Sequence, residues 1–316
     1  MQICGTISLL FSIQSPNIKI TQLKAPNISP FWRPPLSVLS LLFPAQDFNR
    51  LDADELDANL LEKIAISTEN NATPSLSRKT FVCQDSMPAD SRYYEQIIFE
   101  EDIIPTRKGS WHDFFNGIIW LQFPRTKTYL NCLHIAEIKA KGLNPRTKVR
   151  NHITHFDECG VVLFIKGELL FAQLESLFEA QAWTTLFCEL RDKWNNNIFP
   201  VVFGHANLEM MLNPFIGLTG KVLLIQIEDV PTLHDITQAS EPSDANQSKA
   251  TLFEPQVLDA LLLQHIEQNQ TFFALKPFYP LPLLGVPDWH FEKQDADFYA
   301  NTGYFMPKRQ HKAGAD

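Results

Sequence analysis

A chain of 316 residues with a net charge of −9 lacks the basic surface that phosphate neutralisation needs, so nucleic-acid binding is not indicated. Its hydrophobic share of 45%, with 24 Phe and 6 Trp, suffices for a large core in one domain or two. Five cysteines (Cys4, Cys83, Cys132, Cys159, Cys188) without a CxxC pair argue against a disulfide framework or a thiolate zinc site. They are read as reduced thiols of a cytoplasmic protein, and no run of about 20 apolar residues marks a membrane span.

Residues 1–45 are apolar, proline-rich and poorly periodic. Residues 1–29 are read as an N-terminal extension; the opening MQICGTISLLFSIQ lacks the basic region of a secretory signal. Ile28 to Pro44 suggests an extended lead-in and a short buried helix, and 46–64 a helix capped by Asp52, with Leu56, Leu60, Leu61 and Ile64 at helical spacing. A loop over 68–79 leads to two candidate strands, Thr80 to Cys83 and Tyr93 to Phe99, the second rich in aromatic and β-branched residues. The segment 100–109 reads as an acidic turn and a loop.

That loop feeds the most informative stretch, SWHDFFNGIIWLQFPRTKTYLNCLHIAE, over 110–137. Ser110 caps a helix, with Asp113 at its third position in a variant of the capping box. The helix is apolar almost all round, which predicts burial. Its polar exceptions, His112, Asp113 and Asn116, crowd one edge. Pro124 starts a second helix, where Lys127, Asn131 and His134 share a side. One reading makes these a cap, a core histidine bonded to a carbonyl and a solvated basic face; the other makes them a pocket lining.

Further on, 149–156 predicts a helix, Asp157 to Gly160 a turn, 161–165 a strand and 169–190 a helix that either breaks near Trp183 or continues to Trp194. Then come an extended Val201 to Phe203 and a short helix opened by Gly204, in which His205 and Glu209 share a face at i and i+4. Next are a turn and strand over 217–227, a polar insertion at 229–250 and a helix after Pro255. A proline- and aromatic-rich stretch then wraps the surface, and 306–316 is read as a disordered tail. The sum is α+β: a mostly helical single compact domain over 30–305 with several short strands.

The order RYYEQIIFEEDIIPTRKGSWHDFFNGIIWLQFPRTKTYLNCLH, HITHFDECGVVLF, FGHANLEMML, YPLPLLGVPDWH and a closing FY resembles an uncharacterised bacterial family, domain of unknown function 3025. The resemblance covers about Pro30 to Phe305. It falls on Pro105, Thr106 and Arg107, on Trp111 to Asn116, on Phe123, Pro124 and Lys127, on Asp157, Glu158 and Gly160, on Gly204, His205 and Glu209, and on Pro282, Leu284, Gly285 and Pro287. Relatives tend to carry a second Trp where this chain has His290. The resemblance implies no established activity.

The candidate site gathers His112 with Asp113, Asp157 with Glu158, His205 with Glu209, and Arg107, from three distant segments. His112, Asp113, Asp157, His205 and Glu209 are the candidate catalytic groups; Arg107, Asn116 and Lys127 are the candidate substrate-binding groups, Arg107 as an anion clamp. Two histidines and several carboxylates suit a general base oriented by a carboxylate, or a divalent metal held by mixed N and O ligands. No HExxH or HxH frame is present, so no residue is assigned as a metal ligand. Walker A, GxGxxG and GxSxG are also missing. The expectation is a hydrolase-type enzyme acting on an unidentified ligand; the alternative is a binding or adaptor protein that holds a partner on an aromatic- and proline-rich surface.

Overall fold

The computed structural model describes residues 53–69, 78–227, 255–290 and 293–309. The expected N-terminal extension, the Asp52 cap, the 229–250 insertion and most of the C-terminal tail lie outside these residues. The described part is mostly helical with short strands, as expected from the sequence.

Helix α1 spans Ala58–Glu69, and Asp57 caps it by accepting from the Leu60 N–H at 2.8 Å. Strand β1 (Thr80–Cys83) pairs in parallel with β2 (Ile103–Thr106) in a two-stranded sheet. Between them, the predicted strand at Tyr93 to Phe99 is instead helix α2, Tyr94–Glu101. Local capping overrides its β-rich composition. The Gln96 side chain accepts from the Tyr93 N–H, Lys79 donates to the Ile98 carbonyl at the far end, and Asp102 turns left-handed to stop the helix. The segment expected to be a loop before Ser110 contains β2.

Helix α3 (Trp111–Gln122) begins where Ser110 Oγ accepts from the Asp113 N–H, and α4 (Pro124–Lys141) follows with Pro124 in its first turn. Asp259, on α8 (Pro255–Gln268), accepts from the Arg125 and Thr126 N–H groups and so caps α4 from another helix. Helix α5 (Lys148–Cys159) runs straight into β3 (Gly160–Lys166), so the expected turn at Asp157 to Gly160 is the last helical turn.

The main sheet has the order β4-β3-β5-β6, where β4 is Ile198–Val202, β5 Thr219–Ile227 and β6 Tyr279–Pro282. Strand β3 is antiparallel to β4 and parallel to β5, and its run Val161 to Ile165 is wholly buried, as a central strand covered on both faces should be. Helix α6 (Glu168–Ala180) packs on β3 and β5, and a π-helical turn, Thr185–Glu189, follows it just past Trp183.

The proline- and aromatic-rich stretch is built in rather than draped outside. It supplies β6, buries Leu281, Leu283, Leu284 and Val286, and buries Trp289, Tyr299, Tyr304 and Phe305 around the short helix α9, Ala296–Tyr299. No helix among the described residues is long and apolar enough to cross a membrane.

Candidate metal centre

One chain junction positions the site. At the end of α5 the chain enters β3 at Gly160; at the end of β4 it enters α7 (His205–Met210) through Gly204. The Phe203 and Gly204 N–H groups both donate to the Gly160 carbonyl, at 3.0 and 2.8 Å, and the Asn207 amide donates to the Cys159 carbonyl at 2.9 Å. A Cβ on Gly204 would lie 2.4 Å from Gly160 N and 2.5 Å from the Glu158 carbonyl, so only glycine lets the two chains approach this closely. The result sets Asp157 and Glu158 beside His205. Helix α3 packs on α7 and brings His112, in its first turn, to the same place.

Three ligand-type atoms converge there. His112 Nε2 and His205 Nε2 are 3.1 Å apart, and Glu158 Oε2 lies 3.8 Å from the first and 3.4 Å from the second. A point about 2.0 Å from all three lies within their triangle, the bond length of a divalent zinc-type ion to imidazole nitrogen and carboxylate oxygen. His205 is buried, whereas His112 and Glu158 are half-buried, so the triangle is backed by protein on one side and reaches solvent on the other.

The outer atoms fit the same use. His112 Nδ1 lies 2.9 Å from Glu209 Oε2, so its proton sits towards that carboxylate and its Nε2 lone pair points into the triangle. His205 Nδ1 is buried without a hydrogen-bond partner and faces Asp157 Oδ2 at 3.8 Å. If His205 Nε2–H donated to His112, that Nδ1 would present a bare lone pair to a carboxylate. With the His205 Nε2 lone pair turned to a cation, Nδ1 carries the proton and Asp157 becomes its natural acceptor. Burial, against the pull of Asp157, pushes the His205 pKa down to about 3, which keeps the ring neutral and free to ligate.

Behind this layer, Lys127 bridges Asp157 and the Asn116 side-chain oxygen, and the Asn116 amide donates to Tyr94 Oη at 3.0 Å. Burial raises the Asp157 carboxyl, but the Lys127 ammonium outweighs it and holds the group below its usual value. Glu158 moves the other way: burial raises it, helped by the charge of Asp157.

The sequence-derived candidates therefore separate into layers. His112, His205, Asp157 and Glu209 meet in space, with Glu158 as the third inner group. His205 and Glu209, expected to share a helix face, both turn to His112 from that face. Asn116 and Lys127 are buried behind Asp157, so the side of α4 read as a solvated basic face is interior at Lys127, Asn131 and His134. Arg107 and Asp113 form their own pair: the guanidinium donates to both carboxylate oxygens, at 2.9 and 2.7 Å, and the Arg107 N–H adds a third bond. Burial raises the Asp113 carboxyl, and Arg107 more than reverses this. The Arg107 side chain remains largely exposed.

Cys159, next to Glu158, is half-buried, and its burial there raises its pKa, the opposite of what activates a thiolate nucleophile. Tyr94 and Glu95 were missed because their segment was taken for a strand.

A family model described as "Protein of unknown function (DUF3025)" matches residues 79–309. No curated protein and no solved structure matches the chain.

Proposed function

Within the DUF3025 family, to which this chain belongs, we propose that His112, His205 and Glu158 hold a divalent metal ion and that the centre serves a hydrolase-type reaction. The observation that carries this reading is the convergence of two imidazole nitrogens and one carboxylate oxygen around a single point at ligand distance. Two histidines and a glutamate leave a coordination position open, as hydrolytic zinc centres do, and the half-buried side of the triangle is where a substrate oxygen or a water reaches it. When bound, the ion supplies Lewis acidity towards such an oxygen.

The chain's own groups do the rest. Glu209 holds the His112 proton on Nδ1, and Asp157, held ionised by Lys127, stands behind His205. Arg107, tied through Asp113 to the start of α3 and close enough to Glu209 to feel its charge, offers a positive charge for an anionic substrate. The partner-binding alternative has less to rest on, because four of the tail aromatics it needs at the surface, Trp289, Tyr299, Tyr304 and Phe305, are buried.

Elemental analysis of the purified full chain, with metal titration after chelation, tests the reading. One bound divalent ion per chain, lost in His112→Ala and in His205→Ala, is expected. A chelator-treated protein that takes up no zinc, manganese, iron or nickel, with an unchanged melt in their presence, would sink it. Screening the loaded protein against ester, amide and phosphoester substrates, with Glu158→Gln as control, tests the hydrolase part.

A further inference from the structure

On the Lys127 side of Asp157 lies a small, partly open cavity, lined in part by Tyr94, Glu95, Trp120, Lys127, Asn131 and His134. It has room for about one water molecule. Three of its lining groups carry buried polar atoms that lack a hydrogen-bond partner: Trp120 Nε1, Asn131 Oδ1 and His134 Nδ1. Their side chains belong to residues no more than 5% exposed. Orphaned buried polar atoms are rare, and three around one hole point to an occupant.

The donors and acceptors define that occupant. Asn131 Nδ2 donates to the Glu95 carbonyl and to Glu95 Oε2, at 2.9 and 2.8 Å, which fixes the amide so that Oδ1 is the free acceptor. Trp120 Nε1 can only donate. Lys127 uses two of its three protons on Asn116 and Asp157, and its ammonium sits 5.3 Å from the centre of the Trp120 ring, which leaves the third proton for the cavity. His134 is neutral, since burial pushes its pKa down to about 4, and its Nδ1 accepts when the proton is on Nε2. A metal ion is disfavoured by the ammonium and the indole N–H, and an anion by the carboxylates of Glu95 and Asp157.

We propose that this cavity binds one ordered water, which donates to Asn131 Oδ1 and His134 Nδ1 and accepts from Trp120 Nε1 and Lys127 Nζ. Two donors and two acceptors match the four hydrogen bonds a water makes. The water ties α3 to α4 and, through Lys127, backs the carboxylate that stands behind His205. The cavity lies outside the His112–Glu158–His205 triangle, so the site stands whether or not that triangle holds a metal.

The test is a crystal structure of the full chain at about 1.5 Å, together with NMR detection of contacts between the Trp120 indole proton and water in the chelator-treated protein. Expected are a single density peak about 2.7–3.2 Å from all four atoms and a cross-peak from that indole proton to long-lived water. His134→Phe, which keeps a ring but removes the acceptor, should abolish both while the melt stays cooperative. Trp120→Phe provides a second removal if that variant does not fold. An empty cavity, a peak at metal–ligand distances, or an indole proton with no cross-peak to water overturns the proposal. Measuring the metal content of the same sample shows separately whether the triangle is a metal centre.

Discussion

Phe156 precedes Asp157 and Glu158, and Phe203 precedes Gly204 and His205, so an aromatic stack and the polar site grow from the same two chain segments. The fully buried Phe156 and Phe203 rings stack at 4.7 Å, and the partly buried Phe278 stacks on Phe156 at 5.5 Å. One or two residues further along each segment, the side chains of Asp157, Glu158 and His205 point instead at a half-open cluster of imidazoles and carboxylates. The difference teaches how the site is held: stacking and the three hydrogen bonds around Gly160 fix the backbone, and the polar groups take their places from it.

The sharpest way to break that comparison is Phe203→Ala. The cavity left beside Phe123 and Phe156 should lower stability by about 3–5 kcal/mol, read from chemical denaturation. Metal affinity should fall with it, because the junction carrying His205 loosens. Unchanged affinity in a destabilised but folded variant would mean the site is held by its own polar contacts.

How much of this was legible in the sequence follows the same division. Buried β3 announced itself as an unbroken apolar run, and the caps at Ser110 and Pro124 were readable because their chemistry is local. Tyr93 to Phe99 misled because its composition favours a strand, while the Gln96 and Lys79 bonds that decide for a helix cannot be weighed without the fold. His112, His205, Asp157 and Glu209 were picked as polar exceptions next to apolar elements, and they do meet. Which partner each takes was not readable: the i, i+4 spacing puts His205 and Glu209 on one face of α7, but not that both meet His112 across almost a hundred residues of sequence. Glu158 emerges as an inner group only because α5 continues to Cys159 in place of a turn.

A pH series sharpens the contrast next. His134 is neutral when folded, with a pKa near 4 because burial outweighs the attraction of Asp157, and its unfolded value is near 6.5. The unfolded chain therefore takes up the proton first. The His134 contribution is fully present above pH 6.5 and is lost as pH falls from 6.5 towards 4, by about 3 kcal/mol in all. Lys127, Arg146 and Arg150 add to the penalty on a charged ring. His205 titrates in the same sense, so the informative quantity is the difference between wild type and His134→Phe, whose stability curve should be flatter over that window. Parallel curves would show that His134 is not held neutral.

Smaller again is Glu209→Gln. The amide keeps the shape but weakens the orienting bond to His112 Nδ1, so metal affinity should drop about 10–100-fold by titration calorimetry, with a melting temperature of the metal-free protein close to wild type. An equal drop in Glu158→Gln and Glu209→Gln would mean that inner and outer carboxylates are not distinct.

The smallest expected effect comes from a buried carboxylate that has nothing to do with the site. Asp259 is 1% exposed and accepts from the Arg125 and Thr126 N–H groups and from the Thr126 hydroxyl. Burial raises its carboxyl, whereas Asp157, less buried and beside the Lys127 ammonium, is lowered overall. One acid satisfies the orphaned N–H groups at the start of α4; the other faces an ammonium and an imidazole. Asp259→Ala should lower stability by about 1 kcal/mol, as the loss of a helix cap does, and leave metal affinity unchanged. If affinity fell in step, the start of α4 would be part of what positions Lys127, and the cap would belong to the site's support as much as the stacked rings do.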